Sequence, residues 1–260
     1  MQAMAHAERL SSHLANQIEA QTRDPDWTLA HYTFVASVTT LASECDIAHS
    51  PAMSVASSHA VPRLRLAFIG ESAELLANYT TFLISHGSEM ELLVAEAQRV
   101  VAEQAFKVLS NEAQWQMVFR GDPDTLDAGQ ATELADNDLS AMQALAKNEQ
   151  FELRFTTRDP FQQGPAFGIW EDRQLVAMGV TNLRLPGVVQ IGNVVAVKTA
   201  AEPLYIAAIV SALVKAHAEQ MRVFCIIPQQ LEAALGLFET LGFVRERPMY
   251  RMHCVLKEDR

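Results

Sequence analysis

Cysteine is scarce in this chain: Cys45, Cys225 and Cys254 lie far apart and are odd in number. A disulfide framework is therefore excluded, and the paired spacing of a structural zinc site is missing. Long hydrophobic runs are missing too. The apolar stretch 204–213 falls well short of the ~20 residues that a bilayer span needs, so no membrane partner is expected. The start of the chain mixes His6, Glu8 and Arg9 into a helical pattern, without the basic lead and apolar middle of a signal peptide. These absences predict a cytoplasmic protein. Basic residues are thin in the first part: residues 1–150 hold 8 Lys+Arg against 20 Asp+Glu, a net of −12. Residues 151–260 hold 12 against 11. Phosphate backbones are gripped by clustered Lys and Arg, so nucleic acid is not an expected partner, and the acidic surplus serves solubility. No dinucleotide glycine fingerprint and no Ser/His/Asp arrangement occurs.

What remains is ordinary globular material, 260 residues of which 49% are hydrophobic, enough for one large core or two modest ones. Leu10, Leu14 and Ile18 are spaced as one face of a helix, and a second helix is predicted over 27–41 after the break at Asp24-Pro25-Asp26. The Ser-, Ala- and Pro-rich stretch 48–62 has no period and reads as a loop. A strand follows over 64–69, then helices over 72–85 and 89–104, then two short strands over 106–109 and 115–119. Asp122-Pro123-Asp124 marks the boundary between an α-rich accessory domain, 1–121, and a second domain, 122–260.

The second half predicts a helix ending near Ala146, capped from residues 136–138, with Leu139, Met142 and Leu145 on its apolar face. Strands over 164–170 and 174–179 flank the turn Glu171-Asp172-Arg173, and strands over 182–185 and 188–197 flank Pro186-Gly187. A helix over 203–219, a buried strand over 223–227, a helix over 229–241 stopped by Gly242 and a last strand over 245–255 complete the order. This is an α+β layout, with a mainly antiparallel sheet flanked by helices. Trp115, Phe167 and Trp170 are expected in the core.

Three local signatures in this order resemble the GNAT superfamily of N-acetyltransferases, in a bacterial subgroup with an N-terminal extension. One is Gly164-Pro165-Ala166-Phe167-Gly168-Ile169-Trp170-Glu171-Asp172-Arg173-Gln174-Leu175-Val176-Ala177-Met178, similar to the subgroup's central hairpin. The others are Leu183-Arg184-Leu185-Pro186-Gly187 and Leu237-Phe238-Glu239-Thr240-Leu241-Gly242-Phe243. The likeness covers the catalytic half well and the rest faintly. Residues 1–121 are left as either a worn copy of the same fold or an unrelated helical cap.

The resemblance implies an acyl-CoA, such as acetyl-CoA, held beside the central strand, with its diphosphate on the amides of an Arg-x-x-Gly-x-Gly/Ala loop. A helix N-terminus suits an anion through its orphan N–H groups and dipole, and glycines let the backbone come close. The matching segment is Thr199-Ala200-Ala201-Glu202-Pro203-Leu204-Tyr205-Ile206, with neither glycine nor arginine. Pro203 donates no N–H, and Glu202 puts a carboxylate where the phosphates would lie. Thr199 and Glu202 also have capping-box spacing; if the helix begins at Pro203 instead, Glu202 sits at its cap. A carboxylate ~4 Å from a phosphate costs roughly 1–4 kcal/mol near a surface, or about one to three decades of affinity. Lys198 is the compensating cation. By the same resemblance, Ala201, Leu204 and Tyr205 would meet the cofactor, and Val195 and Val197 would offer N–H groups to the thioester oxygen.

The proton-transfer positions have changed as well. Phe238 matches a tyrosine that protonates the departing thiolate, Gln190 lies where a carboxylate is frequent, and Cys225 lies where the subgroup often has His. Each residue carries two readings. Tyr205 replaces the lost acid or simply packs. Asn193 binds a ligand or satisfies backbone at a bulge. Cys225 is a nucleophile or a small core residue. His217 is catalytic or a surface cation near a helix C-terminus. The expected function is transfer of an acyl group from acyl-CoA to the amine of a small molecule or peptide. The alternatives are a degenerate relative acting through ligand or protein binding, and a different donor such as a carrier-protein thioester. A homodimer is admitted as a partner state.

Overall fold

A computed structural model describes residues 45–50, 53–60, 63–84, 88–154, 159–185 and 187–257. The helices predicted around Leu10 and over 27–41 lie outside these residues, as does Pro186 of the second hairpin turn. The chain divides into two compact units, Met1–Gln114 with Arg247–Arg260, and Trp115–Glu246.

The first unit contains strands β1 (Cys45–Ser50), β2 (Met53–Ala60) and β3 (Arg63–Gly70), helix α1 (Ala73–Leu83), strand β4 (Met90–Ala95) and helix α2 (Glu96–Ala105). Strand β5 (Phe106–Phe119) begins in it. β1 pairs with β2 and β2 with β3, both antiparallel, the latter from Met53↔Gly70 to Ala60↔Arg63. The predicted loop over 48–62 is therefore largely strand. Its small polar residues carry no alternation to read, and pairing with neighbours supplies what propensity does not. The helix predicted over 89–104 is a strand followed by a helix. Met90–Ala95 is buried at five consecutive positions, and a short apolar run does not reveal its own period. The two short strands predicted around residues 106–119 are one, because its polar middle stands at exposed positions. Ser72 caps α1 by accepting from the Leu75 N–H at 3.3 Å. The core gathers Leu66 and Phe68 from β3, Leu76 from α1, Leu92 and Val94 from β4, and Phe106.

The second unit contains β6 (Thr132–Leu134), α3 (Leu139–Asn148), β7 (Ala166–Glu171), β8 (Gln174–Leu185), β9 (Val188–Ala196), α4 (Glu202–His217), β10 (Arg222–Pro228) and α5 (Glu232–Thr240). The last strand, β11 (Phe243–Leu256), starts here and ends in the first unit, where it pairs antiparallel with β4 from Met249↔Ala95 to Cys254↔Met90. The order β6-β7-β8-β9-β10 is antiparallel up to β9, and β9 runs parallel to β10 with α4 as the crossover. The β7–β8 turn is tight because Asp172 and Arg173 both take positive φ, 47° and 66°, as a two-residue hairpin of this kind requires. Two strands predicted over 174–185 are one, bent by register shifts after Met178 and Thr181. The core of this unit joins Val189 and Ile191 of β9, Ile209 and Leu213 of α4, Cys225 of β10 and Phe238 of α5. Trp115 and Phe167 pack against it, whereas Trp170 is exposed.

The two units share an element order. Each has an antiparallel hairpin leading to a third strand, a helix, a fourth strand parallel to the third and a second helix, after which a long strand, β5 or β11, begins. Among the described residues, the first unit thus carries a paired sheet and is not helical alone. No helix among them is long and apolar enough to cross a membrane.

Candidate functional site

Strands β9 and β10 begin together and then part. Their parallel register covers Val188↔Arg222, Val189↔Val223 and Gln190↔Phe224, while β9 continues to Ala196 and β10 to Pro228. The cause lies in β9. Asn193 takes φ 49°, a left-handed conformation that Asn tolerates, and the β8–β9 register shifts across this stretch. A bulge of this kind bends its strand and increases its twist. Half-buried Gln190 stands at the last paired position, opposite Leu183 on one side and Phe224 on the other.

Asn193 spends its side chain on this geometry. Its Oδ1 accepts from the Arg154 N–H at 2.8 Å, and its Nδ2 donates to Arg154 O at 3.2 Å and to Asn182 Oδ1 at 3.3 Å. Of its two readings, the geometry favours backbone satisfaction at a bulge.

The amides facing the split are not those expected. Val197 N–H donates to Val176 O at 2.8 Å. Val195 stands opposite Met178, two places along the same ladder, so alternation turns its N–H towards β8 as well. Ala196, between them and opposite Ala177, turns its N–H the other way, towards the β10 side. The bulge in β9 changes the parity of the ladder, so the outward amide is Ala196 and not the pair that the resemblance implied. The Val195 side chain packs under α3, with Met142 and Leu145.

The segment between β9 and α4 satisfies itself. Thr199 N–H donates to Val197 O at 2.9 Å, Ala201 N–H to the Thr199 hydroxyl at 3.3 Å, and Glu202 N–H to Thr199 O at 3.1 Å. The N–H groups of Leu204 and Tyr205 both donate to Ala201 O, at 3.0 and 3.1 Å. Helix α4 starts at Glu202 with Ala201 as its cap residue, so the capping box of Thr199 and Glu202 does not form. Lys198 and Leu204 are exposed.

Tyr205 is half-buried, and its hydroxyl donates to Glu171 Oε1 at 2.6 Å. That bond to a carboxylate, together with burial and the negative charge, raises the phenol pKa above its usual value, so Tyr205 holds its proton more firmly. Sequence reasoning missed Glu171. The signal was its place in the β7–β8 turn, which lies at the end of β9 because Ala177 at the start of β8 pairs with Ala196. A second carboxylate therefore joins Glu202 at the mouth of the loop.

Phe238 is buried in α5, edge-on to Phe243 with ring centroids 5.2 Å apart. The Cys225 thiol is buried in β10, and desolvation pushes its pKa well up, which keeps it a thiol. His217, expected at the surface, is buried, because the packed face of α4 continues through Leu213 and Val214 to its last turn. Its Nε2 lies 2.8 Å from Thr181 Oγ1. The threonine hydroxyl donates to Pro165 O at 2.8 Å, so the histidine nitrogen must be the donor.

Burial, and then the Arg184 charge, lower the His217 pKa. The unfolded chain, with an ordinary histidine pKa of about 6.5, therefore binds this proton more readily than the fold does. Stability is expected to fall as pH drops below that value towards the lower folded pKa. Melting curves between pH 5 and 8 should show a shallower acid slope for His217→Gln than for the wild type. Parallel curves would count against this role.

No protein-family model matches the chain, and a search of curated proteins finds no match. Solved structures do match. A GCN5-related N-acetyltransferase from Kribbella flavida superposes with a TM-score of 0.61 at 14% identity, covering 89% of this chain and 96% of that one. A GCN5-related N-acetyltransferase-like protein from Streptococcus suis gives 0.64 at 12%, covering 92% and 99%. A tandem GNAT protein from the clavulanic acid biosynthesis pathway gives 0.61 at 11%, covering 94% of both chains. The chain has the GNAT fold, as the resemblance implied.

Proposed function

We propose that this protein is an N-acyltransferase that moves an acyl group from a thioester, acetyl-CoA or another acyl-CoA, to an amine of a small molecule or peptide. The observation that carries the reading is the parting of β9 and β10 after Gln190 and Phe224. Strand edges that part there would offer backbone donors and acceptors to an extended ligand, and the Ala196 N–H, turned away from β8, would be the donor to a thioester oxygen. The amine nitrogen attacks the acyl carbon, the carbon–sulfur bond breaks, and the proton lost by the amine passes through water to the thiolate. Gln190 is no base, and Tyr205 holds its proton. Rate enhancement then rests on holding amine and thioester together, which supplies up to ~7–11 kcal/mol in well-oriented systems. The repeated element order suits a tandem GNAT architecture with the reacting half in the second unit.

A second reading, a non-catalytic GNAT-fold protein acting through ligand or protein binding, is favoured by the self-satisfied segment before α4. Incubation with acetyl-CoA and a panel of primary amines, followed by thiol release and product mass, separates the two. Acylated amine supports the enzyme. Absence of heat and of a thermal shift at millimolar acetyl-CoA, with no thiol released, favours the second reading.

A further inference from the structure

Coenzyme A ends in a nucleotide diphosphate, and the segment that would receive it is closed in two ways. Five of its N–H groups, those of Thr199, Ala201, Glu202, Leu204 and Tyr205, already donate to oxygens of the same segment, and Pro203 has none to offer. An incoming phosphate would have to break these bonds to gain its own. Two carboxylates also stand there, Glu202 in the first turn of α4 and Glu171 on the Tyr205 hydroxyl, against the exposed cation of Lys198.

The elements bordering the split are apolar where they pack on one another, and they bring no charge to it. Val194 of β9, Ile206 of α4, Ile227 of β10 and Phe238 of α5 belong to or pack on one core cluster. Site and entrance have therefore diverged. The split suits an uncharged arm, while its mouth disfavours an anion.

Resting on the acyltransfer reading, we infer that donor recognition stops at the pantetheine arm. The diphosphate and nucleotide add nothing to affinity, and the donor class is any acyl thioester on a pantetheine-type arm. Such an arm comes from coenzyme A or from a carrier domain, and the two share the chemistry that the split receives.

Titration calorimetry on the full chain with coenzyme A, 4′-phosphopantetheine and pantetheine tests this, the middle ligand standing for the carrier-borne arm. Coenzyme A is expected to bind no more than about tenfold more tightly than pantetheine, and weaker binding of coenzyme A than of pantetheine also agrees with the inference. Coenzyme A binding should also stay level or strengthen as salt rises, since the charges near the mouth repel it. A preference for coenzyme A above tenfold, or binding that weakens steeply with salt, overturns the inference and leaves acyl transfer standing. Binding of none of the three overturns both.

Discussion

Replacing Glu202 and Pro203 together by glycine is expected to tighten acetyl-CoA binding by about one to three decades. The double variant removes a carboxylate from the first turn of α4 and restores the N–H that proline lacks. The N-terminus of α4 would then present its dipole to the phosphates, with Glu171 as the remaining opposing charge. Glycine in a helix interior costs roughly 1 kcal/mol against alanine, and at a helix end less, so the variant should fold. The Glu202→Gln variant separates charge from geometry, since it removes the repulsion and keeps proline. It should recover only part of the gain. Pantetheine affinity should not change in either variant. If calorimetry shows the same acetyl-CoA affinity in wild type and double variant, the carboxylate and the proline are not what closes the cradle.

The residue content of the loop was legible because it depends on one short segment, whereas the start of α4 at Glu202, with Ala201 as cap, was not. Neither a missing glycine nor a missing N–H needs tertiary context. The element order of the second unit was legible for a similar reason, since α3, α4 and α5 and the Glu171-Asp172-Arg173 turn carry their own period and turn residues. The first unit hid its sheet. β2 reads Met-Ser-Val-Ala-Ser-Ser-His-Ala, and its identity comes from backbone bonding to β1 and β3, which no local pattern announces.

The site failed to read through at two points where distance in sequence matters. Which amides of β9 face the split is decided by ladder parity, and the bulge at Asn193 is itself held by Arg154, far along the chain. His217 looks like a surface cation from its place in the helix alone. It becomes a buried donor because Thr181, already committed to Pro165, leaves only an acceptor position to fill.

Gly242→Ala is expected to cost at least about 3 kcal/mol, combining backbone strain of order 1–3 kcal/mol with loss of close packing. Gly242 has φ 92°, where a side chain is strained. A Cβ there would also sit 2.9 Å from Gly121 Cα and 3.2 Å from Gly121 N. These atoms are backbone and have no rotamer to escape into. Gly242 O accepts from both Arg120 N–H at 2.9 Å and Gly121 N–H at 3.1 Å, so pushing the two segments apart breaks two hydrogen bonds. The neighbouring Phe243 ring, edge-on to Phe119 at 5.4 Å and to Phe238 at 5.2 Å, would loosen with them. The sequence reads Gly242 only as the stop of α5, and that role alone predicts a smaller loss. Gly236 supplies the contrast within α5, since nothing lies within 4 Å of its added Cβ. Gly236→Ala should stabilise by up to about 1 kcal/mol through helix propensity. Urea unfolding of both variants decides the matter: a Gly242→Ala loss below about 1 kcal/mol would mean that the two backbones separate at little cost and that close approach is not what glycine is kept for.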